Sequence, residues 1–196
     1  ATANYDKIYF TVKNKSTNAA VKGKGGAGSY TFSTDGTVSQ FELNSANTFS
    51  IANLPTGTYT VTEHTVSGYT VDSKSKDVTV SKGQTGKVSF KNTRDTGSAK
   101  IIKTWVHNGD ATANYDDIYF TVKKNNTIIK GTTTNTAGKY TFSEKGSVSQ
   151  FKPNSGNIFT IEGLPTGTYT VTEHTVSGYT VDSESKTVII SNGQTG

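Results

Sequence analysis

Hydrophobic and polar residues alternate in short runs along most of the chain, which is the pattern of half-buried β-strands. Clear examples are "DIYFTVKK", "GSVSQF", "GTYTVTEH", "GYTVDS" and "KTVIIS", which begin at Asp117, Gly146, Gly167, Gly178 and Lys186. Gly, Asn, Pro or Ser residues separate these runs, as is typical of turns. Helical periodicity is not seen over any useful length. The pattern predicts an all-β protein built from β-sandwiches of about seven to nine strands each.

An internal repeat divides the chain into two similar units. Residues 1–86 align without gaps with 111–196, and 57 of the 86 aligned pairs are identical. The stretch Leu54–Ser73 returns unchanged in the second copy, whereas the differences concentrate in 14–29 and its counterpart 124–139. We therefore expect the residues that constrain the unit to lie in its later part.

Residues 87–110 occur only once and lie between the two copies. "KVSFKN" from Lys87 has the pattern of a strand that closes the first unit, and "SAKIIKTW" from Ser98 that of a strand that opens the second. The polar "TRDTGS" between them predicts a turn or linker. We predict two domains, 1–93 and 97–196. On this interpretation the first lacks its opening strand and the second its closing strand, which flanking residues or another molecule would supply.

Composition narrows the function classes. The chain has 31% hydrophobic residues, 20 Gly and 3 Pro, a balance that favours strands and turns. Zero cysteines exclude disulfides, thiol nucleophiles and Cys-ligated metals. The net charge is +5, but the lysines are scattered among acids, so no nucleic-acid partner is predicted. The absence of a long apolar run, of a signal peptide and of any Met predicts a soluble piece of a longer precursor, without membrane contact.

One acidic residue lies on an apolar strand face in each unit. In the repeated "TYTVTE", alternation places Tyr59, Val61 and Glu63 on one side of the strand, and Glu173 occupies the same position in the second copy. A buried carboxylate without a partner is costly. The pattern therefore predicts that each glutamate meets a specific partner in the core.

Two further polar residues share apolar faces in the segment that occurs once. Asn92 lies on the side of Phe90. Lys103 lies on the side of Trp105, whereas Lys100 lies on the opposite side. Taken singly, each polar residue has an ordinary explanation. The lysine can snorkel to solvent, the asparagine can bond a turn, and the glutamate can pair with a lysine. Together with the two glutamates, they suggest a reaction between an amine and a carboxamide.

Burial supplies the conditions for that reaction. In an apolar pocket, desolvation lowers the pKa of a lysine and raises that of a glutamic acid, so a neutral amine and a protonated acid can coexist near neutral pH. The amine can then attack the carboxamide carbon while the acid relays protons and ammonia leaves. The product would be a Lys–Asn isopeptide bond.

The stretches "FKNTRDTGSAKIIKTW" and "LPTGTYTVTEHTVSGY" resemble the junction and the glutamate strand of tandem Cna B-type domains, the immunoglobulin-like modules of Gram-positive pilins and surface adhesins. The resemblance implies two tandem immunoglobulin-like β-sandwiches, each with a lysine of the first strand joined to an asparagine of the last. Carried over, the cross-linking residues are Lys103, with Lys100 as the alternative, and Asn92. The promoting acids are Glu63 and Glu173. Because Asn92 and Lys103 belong to different units, the partner of each is expected outside the fragment.

Other motifs point to no further chemistry. "LPTGT" at Leu54 and Leu164 resembles a sortase signal but is interpreted as a turn that enters a strand. His64 and His174 follow the glutamates directly and therefore face the opposite way, so we expect them at the surface. Three acids near asparagines lack the spacing of a known calcium loop: Asp6, Asp116 and Asp117. No metal or cofactor is predicted.

These features favour a structural role. We expect stalk modules of a pilin or adhesin, displayed outside the cell on a Gram-positive cell wall, with neighbouring repeats as partners. Host matrix proteins would be bound through other domains. The alternative is a binding module for host extracellular matrix or glycan. An enzyme is not predicted, because the one plausible reaction happens once, to the protein itself.

Overall fold

A computed structural model describes four stretches of the chain: 8–64, 67–106, 118–174 and 179–196. Within these stretches every regular element is a β-strand, which confirms the all-β prediction. None of their segments is a helix long and apolar enough to span a bilayer. The chain divides into two compact units, unit 1 (Ala1–Arg94) and unit 2 (Asp95–Gly196).

Unit 1 is built around a central strand with two antiparallel neighbours. The strands of its described part are β1 (Tyr9–Asn14), β2 (Gly23–Gly26), β3 (Ser29–Phe32), β4 (Phe41–Glu42), β5 (Ser50–Ala52), β6 (Gly57–His64), β7 (Tyr69–Val71), β8 (Ser75–Val80) and β9 (Asn92–Arg94). The central strand is β6, which lies between β1 and β8. The strand orders of the sheets are β4-β1-β6-β8, β2-β3-β5 and β7-β9.

Unit 2 repeats this plan. The strands of its described part are β10 (Thr96–Ile102), β11 (Tyr119–Lys124), β12 (Thr127–Ile128), β13 (Gly131–Thr133), β14 (Lys139–Phe142), β15 (Ile158–Pro165), β16 (Gly167–His174) and β17 (Ser185–Ile190). The central strand is β16, which pairs with β11 and β17. The sheets have the orders β12-β11-β16-β17 and β10-β15-β14-β13.

Each unit has its own apolar core. It is formed largely by the side chains that point inward at every second position along the strands. The buried core of unit 1 consists of Ile8, Phe10, Val12, Val21, Tyr30, Phe41, Tyr59 and Val61. The buried core of unit 2 consists of Ala99, Ile118, Phe120, Val122, Ile129, Tyr140, Phe151, Phe159, Ile161, Leu164, Tyr169, Val171 and Ile190. On β6 the buried positions are Tyr59, Val61 and Glu63, so the alternation predicted for this strand is confirmed.

The ungapped alignment of the two units is wrong in the variable segment. The amide of Val21 donates to the carbonyl of Val12, and the amide of Ile129 donates in the same way to Val122. The first hairpin of unit 1 therefore contains two more residues than that of unit 2. A shorter connection before β3 restores the constant offset of 110 residues between equivalent positions. A shift of two residues is tolerated because side chains alternate with a period of two and keep their faces.

The junction also differs from the prediction. Residues 87–91 form no regular strand, and β9 begins only at Asn92. The polar segment predicted as a linker lies largely in strands, since β10 starts at Thr96 and ends before Lys103. Strand assignment requires backbone pairing, and among the described residues the segment 87–91 pairs with no strand.

Pairing explains why the same sequence is a strand in one unit only. In unit 1, Tyr69 pairs with Arg94 and Val71 with Asn92, which defines β7 and β9. The identical residues 179–181 of unit 2 form no strand, contrary to the prediction. The predicted strand "GSVSQF" in 146–151 is likewise reduced to isolated bridges.

The opening strand accounts for a second difference between the units. In unit 2, β15 lies between β10 and β14 and is eight residues long. Its counterpart β5 in unit 1 is three residues long and, within the described residues, pairs only with β3. In unit 2, one edge of β15 pairs with β10. The same edge of β5 is open within the described residues.

Candidate functional site

In unit 1 the inward glutamate of β6 meets the asparagine of β9. Glu63 is 2% exposed, and Asn92 Nδ2 donates to Glu63 Oε1 over 2.6 Å. The other two polar atoms of the pair, Glu63 Oε2 and Asn92 Oδ1, are buried and have no hydrogen-bond partner in the described part of the chain. Buried polar atoms are nearly always bonded, so two unused acceptors at one place suit an additional donor.

In unit 2 the equivalent glutamate meets the lysine that follows β10. Lys103 Nζ donates to Glu173 Oε1 over 2.7 Å, and the side chains are 13% and 12% exposed. The backbone amide of Lys103 donates to the carbonyl of Asn157 over 2.8 Å, which holds the chain in place beyond the end of β10. An amine and a carboxylate thus lie in direct contact at the edge of the core.

The two candidate lysines differ in position. Lys103 turns inward to Glu173, whereas Lys100 is exposed. On β10 the buried residues are Gly97 and Ala99, so the alternation that distinguished the lysines in the sequence holds in the fold. Of the two, Lys103 is the lysine placed beside a glutamate.

Beside Lys103 lies a groove of about 880 Å³, contained within unit 2. The side chains that line it include Lys103, Trp105, Phe120, Glu173, Lys186 and Val188. The last residues of the chain lead towards it, because Thr195 forms a parallel bridge with Ser98 and the amide of Gly196 donates to the Ser98 carbonyl.

Unit 1 shows what occupies the equivalent place. There, Val88 and Phe90 of the closing segment pack against the core. The Phe90 ring lies 5.4 Å from that of Phe10, and Lys76 Nζ lies 5.0 Å above it. Phe120 and Lys186, which line the groove of unit 2, are the counterparts of Phe10 and Lys76. The groove of unit 2 therefore has the lining that receives a Val-x-Phe-x-Asn segment in unit 1.

A partly exposed ion pair holds this closing segment in unit 1. Asp72 exchanges hydrogen bonds with the backbone of Lys91, and Lys76 Nζ bonds both Asp72 Oδ2 and the carbonyl of Ser89. The hydrogen bond from Lys76, supported by the amide of Lys91, lowers the pKa of Asp72 below its ordinary value of 3.8. In unit 2 the matching pair is Asp182 with Lys186, at 2.8 Å.

We expect Asp72→Ala to loosen the closing segment, because Lys91 loses its side-chain acceptor and Lys76 loses its anion. Hydrogen exchange of the amides in 89–94 should accelerate several-fold. Because the pKa of Asp72 is lowered by folding, its contribution is complete above pH 3.8 and is lost as the pH falls through the folded-state value. Acid should therefore lower the protection factors of the same amides in the wild type, after the slower intrinsic exchange at low pH is corrected for. Asp182→Ala is the matched control, and equal exchange in the two variants would contradict the assignment.

The other sequence motifs make packing contacts and hydrogen bonds within the fold. His64 and His174 lie on the outer side of their strands and stack on Tyr9 and Tyr119 at 4.2 and 4.3 Å. Each "LPTGT" leads into β6 or β16, as predicted, but in the second copy its Leu164 and Pro165 form the end of β15. In both copies the following tyrosine hydroxyl donates to the proline carbonyl. The three acids considered for calcium lie outside the described residues: Asp6, Asp116 and Asp117.

Comparison with known proteins finds solved structures with a similar fold. The Bacillus anthracis TIE protein is 21% identical, with a TM-score of 0.50 over 96% of this chain and 29% of the TIE chain. This chain shares its fold. Residues 4–94 match a family model described as a domain of unknown function, DUF7601. No curated protein matches the chain.

Pilins, the class of protein that the sequence resembles, are among the similar structures. The minor pilin GBS52 of Streptococcus agalactiae is 22% identical, with a TM-score of 0.43 over 74% of this chain and 59% of that one. The major pilin T-13 of Streptococcus pyogenes is 17% identical, with a TM-score of 0.46 over 96% of this chain and 85% of that one. The chain thus spans 59% of GBS52 and 29% of the TIE protein.

Proposed function

We propose that the chain consists of two tandem Cna B-type, immunoglobulin-like modules, 1–93 and 97–196, from the shaft of a Gram-positive surface adhesin or pilin. The modules are displayed outside the cell on the cell wall and contact neighbouring repeats of the same shaft. Each is locked by a Lys–Asn isopeptide bond that the module forms in itself, with Glu63 or Glu173 as the promoting acid. The protein is structural and turns over no substrate.

The observation that carries the proposal is the pair of half-sites. Glu63 bonds an asparagine in unit 1, and Glu173 bonds a lysine in unit 2, at identical positions of the repeat. When the two sites are matched by their equivalent positions in the repeat, they together contain one acid, one amine and one carboxamide. The unused buried acceptors of Glu63 and Asn92 support an amine as the third member in unit 1.

The proposed reaction balances without a cofactor. Lys103 passes a proton to Glu173, to which it is already hydrogen-bonded, and becomes a neutral amine. The amine attacks the side-chain carbonyl carbon of an asparagine seated in the groove, while the protonated glutamic acid donates to the carbonyl oxygen. The bond from this carbon to the amide nitrogen breaks, and the nitrogen leaves as ammonia after it receives a proton through the glutamate. An amine and a primary amide become a secondary amide and ammonia.

A shaft benefits from this bond because of where it lies. The lysine directly follows the opening strand and the asparagine lies at the closing strand, which are the places where tension enters and leaves a module. A covalent bond between them carries the load past the remainder of the sandwich. Similar adjacent repeats also suit a spacer, whose function is to provide length and strength.

Pulling tests this function directly. We expect a chain extended after Gly196 by the sequence of residues 87–93 to show no unfolding step for unit 2 in single-molecule force spectroscopy. The module is then bridged by its own bond, so tension cannot separate its terminal strands. Lys103→Arg in the same extended chain keeps the cation but cannot form the bond, and it should restore an ordinary unfolding length. The same unfolding length in both chains would refute a load-bearing bond.

A further inference from the structure

The indole of Trp105 lies against the reactive lysine of unit 2. Lys103 Nζ is 4.7 Å from the centre of the Trp105 ring while it bonds Glu173. Lysine over an indole face is a cation–π contact, which strengthens as the pair loses solvent. The ammonium therefore has two favourable neighbours at once, an anion and an aromatic face.

The indole is itself held from two sides. Trp105 Nε1 donates to Asn157 Oδ1 over 3.2 Å, and the Tyr179 ring meets the indole edge-on at 4.9 Å. Asn157 also accepts the backbone amide of Lys103, so one residue fixes both the lysine backbone and the indole. Asn157 has a φ of 59°, a conformation that asparagine tolerates better than most residues.

The groove offers Lys103 other electrostatic partners. Asp182 and Glu184 line it together with Glu173, and the cations Lys100 and Lys186 line it as well. A flexible lysine in such a groove can approach more than one carboxylate. A rigid aromatic ring beside the amine restricts Lys103 to one carboxylate.

We propose that Trp105, anchored by Asn157 and Tyr179, is a positioning residue that directs the amine of Lys103 to Glu173 for isopeptide formation. The inference rests on the proposed function, because it assigns a role within the same site. Unit 1 supports it independently, since Asn47 and Tyr69 occupy the places of the two anchors and Asn47 has the same φ of 59°.

Fluorescence tests the contact in the chain as it stands, because Trp105 is the one tryptophan of the sequence. We expect Lys103→Met to change the Trp105 emission, since the cation leaves the ring face, and Lys100→Met to leave it unchanged. Tyr179→Phe keeps the edge-on ring and should behave as the wild type. Equal emission from Lys103→Met and the wild type would overturn the contact.

The rate of bond formation tests the role. In the chain extended by the sequence of 87–93, Trp105→Leu should slow the loss of ammonia about two- to thirtyfold, the range that a cation–π contact implies. Trp105→Phe retains an aromatic face and should restore most of the rate. Asn157→Gly tolerates the same backbone conformation, leaves the indole without its anchor, and should also slow the reaction. The exposed Ile189→Ala, which lies outside the groove lining, is the neutral control.

The outcomes separate this inference from the proposed function. Ammonia loss at the wild-type rate in Trp105→Leu and Asn157→Gly overturns the positioning role and leaves the isopeptide bond intact. No ammonia loss in the extended wild type overturns the bond and with it the role, while the fluorescence comparison still decides whether Trp105 holds Lys103.

Discussion

A chain extended after Gly196 by the sequence of residues 87–93 is expected to lose one molecule of ammonia. The extension places an asparagine at the position that Asn92 has in unit 1, and Lys103 and Glu173 are already in contact at 2.7 Å. Holding the reactants in place replaces a slow encounter by an intramolecular step. Intact-mass spectrometry measures the loss, with the unextended chain as the reference mass.

Replacement of Glu173 should abolish this loss completely. In Glu173→Gln the side chain keeps its shape but cannot take the proton of Lys103, so the amine stays charged and does not attack. Lys103→Ala should have the same effect, whereas Lys100→Ala should react as the wild type. Glu63→Gln, in the other unit, is the matched control and should leave the reaction of unit 2 unchanged. Ammonia loss by Glu173→Gln at the wild-type extent would disprove the role of the acid.

The same experiment can be built for unit 1. Placing the sequence of residues 96–110 before Ala1 provides a lysine at the position equivalent to Lys103, opposite the buried Glu63 and its partner Asn92. We expect a second ammonia to leave from a chain extended at both ends, and Glu63→Gln to prevent that loss alone. This reciprocal result would assign each acid to its own unit.

The second large effect is expected in stability. A Lys–Asn bond in unit 2 closes a loop of roughly 100 residues, which by the chain-entropy estimate for cross-links stabilises the fold by about 4–5 kcal/mol. For a domain of this size that corresponds to a rise in Tm on the order of 20 °C or more. Because Trp105 is in unit 2, its fluorescence follows the unfolding of that unit separately from unit 1.

Lys103→Arg in the extended chain is the matched comparison for stability. Arginine keeps the ion pair with Glu173 and the cation over Trp105, so the missing bond is the main difference between the proteins. Equal unfolding midpoints in the cross-linked chain and in Lys103→Arg would contradict the stabilising role of the bond.

Much of this site can be predicted from the alternation of inward and outward side chains along a few strands. A period of two is enough to place Glu63 with Tyr59 and Val61 and to separate Lys103 from Lys100. These predictions succeed because side-chain direction along a strand is a local property of the backbone. The all-β class follows for the same reason, from short runs divided by turn residues.

Other features depend on partners that are distant in sequence. Residues 69–71 form a strand because β9 lies beside them, and the identical residues 179–181 do not. The two-residue shift in the first hairpin is invisible to an ungapped alignment, because it changes loop length and preserves the buried face. Local sequence contains no information on which neighbour is present at a sheet edge.

The amino-acid sequence by itself determined the strand class, the repeat and the inward direction of Glu63, Asn92 and Lys103. Only the tertiary structure decided which groups meet: Glu63 with Asn92, Glu173 with Lys103, and Trp105 with Asn157. The physical reason is that a strand's own geometry sets the face on which a side chain lies. The partner on that face is set by packing between strands that are as far as 70 residues apart in the chain.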